Sequence, residues 1–507
     1  MPKQLARCLM IALLPFICHG AEPYAGPYQP NWASLIQHEH PQWLLDAKFG
    51  IYAHWGVYSV AAYKSEWYGK MMYDPDDKRG AYQYHRKTFG PQETFGYKDL
   101  IPMFRAERFD PHEWAELIRE SGARYAGIAV VHHDGFGLWD SDVYRWNAGK
   151  MGPKRDLYGD LVKALRARGL KIIATEHHMR TFDWYLPRPE HQEAQKKAGF
   201  DLYDPRYADF YWNHHTSTKA EFIRQWQRKL TEVIDKYLPD VLWFDGGDFT
   251  SPEVAAPVLS SLAYYYNRAE ARKAAVEVLN KFAGTMKFNF PEQFGILTFE
   301  AGRDRPPYVP VPWIDDLSIA EVGWGYTHDL QIRSPREIIV GLADRVARGG
   351  GLLLSLAPRA DGVIPENQRA VLREIGDWLK TNGEAIYGAR RWKIEAEGST
   401  EKLVYERNKH KAWRFEATNA SDIRFTCKGN TLYAIALGWP EDGTLRIQTL
   451  KRGTKALASA INSVTLMGSR TPVSWRQTPQ ALEVQLPSEK PCKYAYTLKI
   501  AFKDARL

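Results

Sequence analysis

The chain has 507 residues, of which 44% are apolar and 25% are charged, and its formal net charge is +8. This composition excludes a disordered chain, and the length exceeds that of one ordinary domain, so we expect two domains. Basic and acidic residues are interleaved without a Lys/Arg tract, which argues against nucleic acid as a partner.

The first 20 residues have the pattern of a secretory signal. Two basic residues precede an apolar run at residues 8–17, and Gly20 offers a small residue for cleavage. The run is too short for stable membrane insertion, and the sequence shows no other apolar run long enough to span a bilayer. We therefore expect residues 1–20 to be removed and the protein to be secreted or periplasmic.

Short apolar runs bounded by glycine or charge predict buried strands. Amphipathic helical patterns lie between these runs, for example at residues 157–165 and 222–233. Alternating strands and helices predict a parallel sheet, and a (β/α)8-like barrel is the simplest closure at this size. The predicted strands lie at residues 48–54, 125–132, 171–176, 240–245, 286–290 and 351–357.

The pattern changes after an amphipathic helix that ends near Gly383. Beyond it, short alternating runs are separated by Gly, Pro and Asn, which predicts an all-β sandwich. We therefore assign residues 21–390 to the barrel and residues 391–507 to a C-terminal β-sandwich domain. Signal cleavage would leave Cys427 and Cys492 as the remaining cysteines, either paired with each other or as two buried thiols.

Several predicted strands end in histidine or carboxylate side chains. The carboxyl ends of barrel strands form one face, which is where barrel enzymes place their active sites. We therefore expect these side chains to meet. They are His54, His132, His133, Glu176, His177, His178, Asp245 and, after a shorter apolar run, Glu300.

Two chemistries use such a set of residues. A metal hydrolase needs three or four converging ligands, but neighbours on a strand point to opposite faces, so each adjacent His-His pair offers at most one easy ligand unless the strand end kinks. A glycosidase needs two carboxyl groups, one as nucleophile and one as acid/base, in a pocket that binds a polyhydroxylated substrate. Asp245 and Glu300 fit the glycosidase better.

An ordered series of motifs between residues 48 and 388 resembles family-29 glycoside hydrolases, the α-L-fucosidases. Each motif is weak alone, but the complete series in this order is specific. The motifs are His54-W-G-V-Y-S, Ser65-E-W-Y, Val131-H-H-D-G-F-G-L-W, Leu242-W-F-D-G-G, Trp324-G-Y, Gly349-G-G-L-L-L-S-L-A-P, Asp361-G-V-I-P and Asn382-G-E-A-I-Y.

This resemblance implies a retaining enzyme that acts on fucosylated oligosaccharides or glycoconjugates and needs no metal or organic cofactor. Asp245 stands where the family has its catalytic nucleophile, and Trp324 matches an aromatic residue near the methyl group of the sugar. The residues that match the lining of the fucose pocket are His54, Glu66, Trp67, His132 and His133.

The acid/base residue departs from the family pattern. Many relatives carry a Trp-Glu pair shortly before the Trp-Gly-Tyr motif, whereas this chain has Ile314 in the place of the glutamate. The stretch around Glu300 resembles a Glu-containing stretch of some relatives. We therefore assign the acid/base to Glu300, with Glu292 and Asp248 as alternatives.

Two other functions are compatible with the motifs. One is a related exo-glycosidase that accepts L-galactose, which differs from L-fucose by one hydroxyl group. The other is a sugar-binding pseudoenzyme without its acid, which Ile314 suggests. A metal-dependent hydrolase is a more distant alternative. Because every matched motif ends by Tyr387, we expect the C-terminal domain to support the barrel or border its entrance rather than supply catalytic groups.

Overall fold

The computed structural model describes residues 26–247, 249–284, 287–301, 306, 308–399, 418–457 and 459–502. The predicted signal at residues 1–20 lies outside these ranges. Within them, no helix combines the length and the apolar character that a membrane span requires.

Eight parallel strands close into a barrel, which confirms the predicted fold class. The first strand pairs with the second and the last, and the fourth pairs with the fifth, so the sheet joins end to end. A short ninth strand, β6, pairs antiparallel with β5. The strands are β1 (Phe49–Ala53), β2 (Tyr125–Val131), β3 (Lys171–Glu176), β4 (Val241–Phe244), β5 (Glu277–Gly284), β6 (Lys287–Phe288), β7 (Ile296–Glu300), β8 (Trp313–Ser318) and β9 (Gly350–Leu356).

Two barrel strands differ from the sequence prediction. The predicted strand at residues 286–290 is wrong, because the barrel strand is β5 and residues 287–288 form only β6. The sequence patterns also did not identify β8. Both strands place an ionisable side chain in the cavity of the barrel, Lys281 on β5 and Asp316 on β8, which interrupts the apolar pattern of a buried strand.

Helices surround the barrel unevenly. One or more helices follow β1, β2, β3, β4, β8 and β9, whereas the described residues between β5 and β8 contain none. The helices are α1 (Trp32–Leu35), α2 (Gln42–Ala47), α3 (Tyr58–Ala61), α4 (Tyr68–Met71), α5 (Ala81–Thr88), α6 (Pro111–Glu120), α7 (Leu157–Arg166), α8 (Pro189–Lys197), α9 (Ala208–Tyr211), α10 (Lys219–Tyr237), α11 (Pro252–Ala271), α12 (Pro335–Ala347) and α13 (Glu366–Asn382).

The caps of the longer helices are readable in the sequence. Thr218 and Glu221 form a capping box at the start of α10, in which each side chain accepts the backbone N–H of the other. The side chain of Asp110 accepts two backbone N–H groups at the start of α6. These caps satisfy N–H groups that have no partner inside the helix and so fix where it begins.

A buried apolar layer fills the barrel below the strand ends. It contains Tyr125, Ile314 and Leu353, together with the aromatic rings of Tyr52 and Trp243. A Cβ on Gly50 would lie 2.2 Å from the Tyr125 ring, so glycine at that position gives the tyrosine the space that it occupies. This layer closes the barrel from below, and the cavity of the protein lies above it.

The C-terminal residues form two antiparallel sheets around a second apolar core, which confirms the predicted all-β domain. One sheet has the order β10-β11-β12-β17-β14 and the other β13-β16-β15. Cys427 and Cys492 are both free thiols. The strands are β10 (Arg390–Glu397), β11 (Ile423–Lys428), β12 (Thr431–Ala436), β13 (Thr444–Ile447), β14 (Ile461–Leu466), β15 (Ser474–Gln477), β16 (Leu482–Gln485) and β17 (Tyr496–Phe502).

The larger sheet packs directly on the barrel. Side chains of β12 alternate between the sandwich core, which receives Leu432 and Ala434, and the barrel core, which receives Tyr433 and Ile435. Arg424 on β11 forms a fully buried ion pair with Asp344 on α12. The C-terminal domain therefore supports the barrel from its outer surface.

Candidate active site

The carboxyl ends of the barrel strands surround a cavity of about 210 Å³. The eight residues assigned as catalytic or substrate-binding from the sequence line this cavity, namely His54, Glu66, Trp67, His132, His133, Asp245, Glu300 and Trp324. Of the other strand-end residues expected to meet them, His177 lines the cavity, whereas Glu176 and His178 do not. The lining also includes residues that the sequence analysis did not assign to the site, namely Tyr52, Arg180, Trp243, Gly246, Lys281, Phe282 and Asp316.

Asp245 follows β4 and lies among positive or hydrogen-bonding groups. Lys281 Nζ donates to its Oδ1, while His133 Nε2 lies 3.4 Å and His177 Nδ1 3.7 Å from its Oδ2. Burial opposes ionisation of this carboxyl, but Lys281 and the two histidines outweigh it and hold the pKa well below its usual value. Asp245 is therefore a carboxylate at neutral pH, as a nucleophile requires.

Lys281 connects the two carboxylates predicted to be catalytic. Its Nζ contacts Asp245 and lies 3.2 Å from Glu300 Oε2. Burial favours the neutral amine, but the charges of Asp245 and Glu300 raise the pKa of Lys281 above its ordinary value. Because one ammonium contacts both carboxylates, they are near neighbours, as the separation of about 5–5.5 Å in retaining glycosidases requires.

The imidazoles of the cavity carry polar atoms without protein partners. Within the described residues, His132 Nδ1 and both ring nitrogens of His177 are buried and make no hydrogen bond. Burial lowers the pKa of His177 to about 3, so its ring is neutral at physiological pH. Buried polar atoms normally have partners, so these nitrogens indicate a ligand rich in hydroxyl groups.

The two adjacent histidine pairs behave differently. Both His132 and His133 line the cavity, because β2 ends at Val131 and the strict alternation of a strand ends with it. The second pair contributes one residue. His177 faces the cavity, whereas His178 turns away and forms a hydrogen bond of 2.9 Å with Lys229.

Glu66 holds the loop that carries Trp324. Its Oε2 accepts the backbone N–H groups of Trp324 at 2.9 Å and Gly325 at 3.2 Å. The Trp324 ring lies 5.2 Å from the ring of His54, and the Trp67 ring lies 5.5 Å from that of His133. Glu66 therefore fixes one aromatic wall of the cavity.

The candidate acids occupy different positions. Glu300 ends β7 and lines the cavity with its side chain 23% exposed, whereas Glu292 is exposed and is absent from the lining. Asp248 lies outside the described residues. Ile314 is buried in the layer below the cavity. Two residues further along the same inward face of β8, Asp316 lines the cavity itself.

Two groups of side chains in the cavity have the spacing of metal ligands. One ligand atom each from His54, His132 and His177 lie within 4.8 Å of one another, as do atoms of His133, His177 and Asp245. Three imidazoles fit the ligand set of a zinc ion. The second group fits a cation poorly, because the ammonium of Lys281 already contacts Asp245.

A barrel whose strand ends enclose neighbouring carboxylates, unpartnered imidazoles and indole rings is the architecture of a glycoside hydrolase. The family model described as alpha-L-fucosidase matches residues 17–384, and the model of the alpha-L-fucosidase C-terminal domain matches residues 416–501. The chain therefore belongs to the α-L-fucosidase family, as its motifs predicted, and is a glycoside hydrolase.

Characterised relatives extend over nearly the whole chain. The tissue alpha-L-fucosidase of Rattus norvegicus is 30% identical over 484 residues, which cover 93% of this chain and 92% of that protein. The human tissue alpha-L-fucosidase is 30% identical over 490 residues, covering 93% and 91%. The crystal structure of Thermotoga maritima alpha-fucosidase in complex with fucose has a TM-score of 0.71 and 28% identity, covering 93% of this chain and 99% of that one.

Proposed function

We propose that this protein removes terminal α-L-fucose from oligosaccharides or glycoconjugates by double displacement, with retention of configuration. The observation that carries the proposal is the contact of Lys281 with both Asp245 and Glu300 in a cavity lined by unpartnered imidazoles. A covalent mechanism needs such a pair of neighbouring carboxyl groups, one ionised and one able to exchange a proton.

In the first step, Asp245 attacks the anomeric carbon while Glu300 protonates the bridging oxygen, because an alkoxide is a poor leaving group. Lys281 keeps Asp245 ionised before the attack. Once Asp245 has become an ester, the ammonium remains beside Glu300 and stabilises its carboxylate form. That form is the base that removes a proton from the hydrolytic water in the second step.

The remaining lining fits a fucosyl group. His132 and His177 supply ring nitrogens for sugar hydroxyl groups, and Trp324 supplies an apolar face for a methyl group. The Thermotoga maritima neighbour was solved in complex with fucose and with a mechanism-based inhibitor, at 28% identity to this chain, which supports this class of substrate. An apolar contact rejects the added hydroxyl of L-galactose only modestly. The rates of hydrolysis of an aryl α-L-fucoside and an aryl α-L-galactoside should therefore be compared.

The first experiment concerns the nucleophile. Asp245→Ala should abolish turnover of 4-nitrophenyl α-L-fucoside without unfolding the protein, because no other group then attacks the sugar. Azide should fill the space and yield β-fucosyl azide. Near-normal turnover by this variant would contradict the assignment, and activity of the wild-type protein after exhaustive chelation would dismiss a metal-dependent mechanism.

The second experiment concerns the acid/base. Glu300→Gln should slow natural fucosides by orders of magnitude, because their leaving groups need a proton, while activated aryl fucosides should still form the covalent intermediate and then stall. Azide should release that intermediate as α-fucosyl azide. An equal loss for both substrate classes, without an azide effect, would assign Glu300 to binding and direct the same test to Glu292 and Asp248.

We also propose that the protein is secreted or periplasmic. The basis is the signal-like pattern of residues 1–20. N-terminal sequencing of protein recovered from outside the cytoplasm should show a chain that begins close to residue 21. A chain that keeps its first residues and stays in the cytoplasm would contradict this proposal.

A further inference from the structure

A third carboxyl group lies in the cavity and has no role in the mechanism above. Asp316 on β8 is the register partner of Glu300 on β7, and both side chains line the cavity. Asp316 is 1% exposed, and its Oδ1 accepts a hydrogen bond of 2.9 Å from the hydroxyl group of Tyr52. Its Oδ2 is buried and has no hydrogen-bond partner among the described residues.

The charged and titratable groups around Asp316 come from five neighbouring elements. They are Tyr52 on β1, Tyr125 on β2, Asp245 after β4, Lys281 on β5 and Glu300 on β7. The ammonium of Lys281 contacts Asp245 and Glu300, and within the described residues Asp316 forms no ion pair. Burial is the main cause that raises the pKa of Asp316 well above its usual value, and the charges of Glu300 and Asp245 act in the same direction, while the charge of Lys281 and the hydrogen bond from Tyr52 oppose the rise.

Ion pairing distinguishes Asp316 from the two other carboxyl groups. Lys281 forms ion pairs with Asp245 and Glu300 but, within the described residues, not with Asp316. Burial and the charges of the two neighbouring carboxylates favour the neutral form of Asp316 and outweigh the more distant ammonium of Lys281. In the free enzyme, Asp316 is therefore a site that holds the proton needed for the first step.

We propose that Asp316 is a positioning residue for the catalytic proton, which it holds in the free enzyme and passes to Glu300 when a glycoside is bound. This inference rests on the proposed function, with Glu300 as the group that touches the leaving oxygen. The alkaline limb of the pH–rate profile would then report the loss of this proton from Asp316.

The proton balance closes over one turnover. In the first step the Asp316 proton moves to Glu300, the Glu300 proton moves to the bridging oxygen, the glycosidic bond breaks and the bond to Asp245 forms. In the second step water attacks the anomeric carbon, the bond to Asp245 breaks, and the water proton moves to Glu300 and back to Asp316. The alcohol leaves neutral, and no oxidant, reductant or other reactant is needed.

The test compares Asp316→Asn with the wild-type protein across leaving groups and pH. Natural fucosides should lose about 10²-fold or more in kcat/KM near neutral pH, within the range for loss of general acid catalysis, while activated aryl fucosides change only severalfold. The alkaline limb should move to lower pH, because the variant lacks the buried carboxyl group that holds the proton at higher pH. Lowering the pH should restore part of the activity on natural fucosides.

Tyr52→Phe provides an opposite perturbation. The hydrogen bond from Tyr52 favours the ionised form of Asp316, so its removal should raise the pKa of Asp316 further and move the alkaline limb to higher pH. Glu107→Gln, which removes an exposed carboxyl group outside the cavity, is the matched control and should leave the limb in place. If Asp316→Asn does not fold, the upward shift in Tyr52→Phe still tests the proposal.

Three results would overturn the inference. One is that Asp316→Asn slows both substrate classes equally and leaves the alkaline limb in place. Asp316 would then have only a structural role. Another is an alkaline limb that Tyr52→Phe leaves in place. The third is a stalled, azide-releasable intermediate in Asp316→Asn but not in Glu300→Gln, which would make Asp316 the acid/base itself. A wild-type protein inactive on every fucoside would instead refute the proposed function.

Discussion

Replacing Lys281 with methionine removes an ammonium that contacts Asp245 and Glu300, while a side chain of similar length is kept. The two carboxylates would then face each other without that cation. At about 5.5 Å and an effective dielectric constant of about 20, their repulsion is about 3 kcal/mol, which corresponds to about 2 pKa units. One of the two groups should therefore retain a proton up to a higher pH.

The direction of the effect follows from the wild-type electrostatics. The pKa of Asp245 is held well below its usual value, so the nucleophile stays ionised until the pH falls far into the acidic range. Without the ammonium, ionisation is lost at higher pH. We expect the acid limb of kcat/KM for an activated aryl fucoside to move upward by about 2 pH units, the shift worked out above.

Lys281→Arg is the matched control, because it keeps the positive charge and changes the geometry. Its acid limb should stay close to that of the wild-type protein even if its rate falls. An acid limb that Lys281→Met leaves in place would refute the view that this ammonium sets the ionisation of Asp245, and Lys281 would then act through shape alone.

The remaining predictions concern the aromatic wall and the domain interface. Glu66→Ala should lower kcat/KM by about 10- to 100-fold in steady-state kinetics, since two hydrogen bonds to the Glu66 carboxyl group are lost. Retained activity would mean that Trp324 is positioned without Glu66. Trp324→Ala should reduce the preference for fucoside over L-galactoside by about fourfold, the value of one methyl-sized contact, and an unchanged ratio would contradict that contact. Arg424→Met should destabilise the protein by about 3–5 kcal/mol in urea unfolding, because it leaves Asp344 buried without this partner. The pKa of Asp344 is depressed because Arg424 and Arg348 overcome the effect of burial, so its contribution to stability is present above about pH 4 and is lost as the pH falls through the folded-state pKa. Arg424→Met should raise the folded-state pKa, so this loss should be smaller and should end at higher pH, and a wild-type-like pH dependence would refute this account.

The sequence identified those barrel strands whose interior side chains are apolar. The runs that lead to His54, His132 and Asp245 are hydrophobic up to the last residue, so their ends could be located and grouped into one site. The motif series then supplied the loop residues Glu66, Trp67 and Trp324, which no strand pattern indicates.

The charged residues of the site that the sequence analysis missed on β5 and β8 lie on strands that do not resemble buried strands. In β5 and β8 the inward positions carry Lys281 and Asp316, because the chemistry of the cavity outweighs strand propensity there. The contact of Lys281 with Glu300 joins residues from separate strands, and no spacing in the sequence encodes it. An ionisable residue inside an otherwise apolar run was the available signal.

The packing of strand β12 between two cores restricts how the protein can change in evolution. Its Leu432 and Tyr433 side chains enter different cores, so neither face of the strand can be altered without refitting a large neighbouring surface. An exchange of the C-terminal domain between relatives would have to match both cores at once. New substrate preferences are therefore expected to arise by substitutions in the loops around the mouth of the barrel, which pack against one core only, rather than by recombination of whole domains.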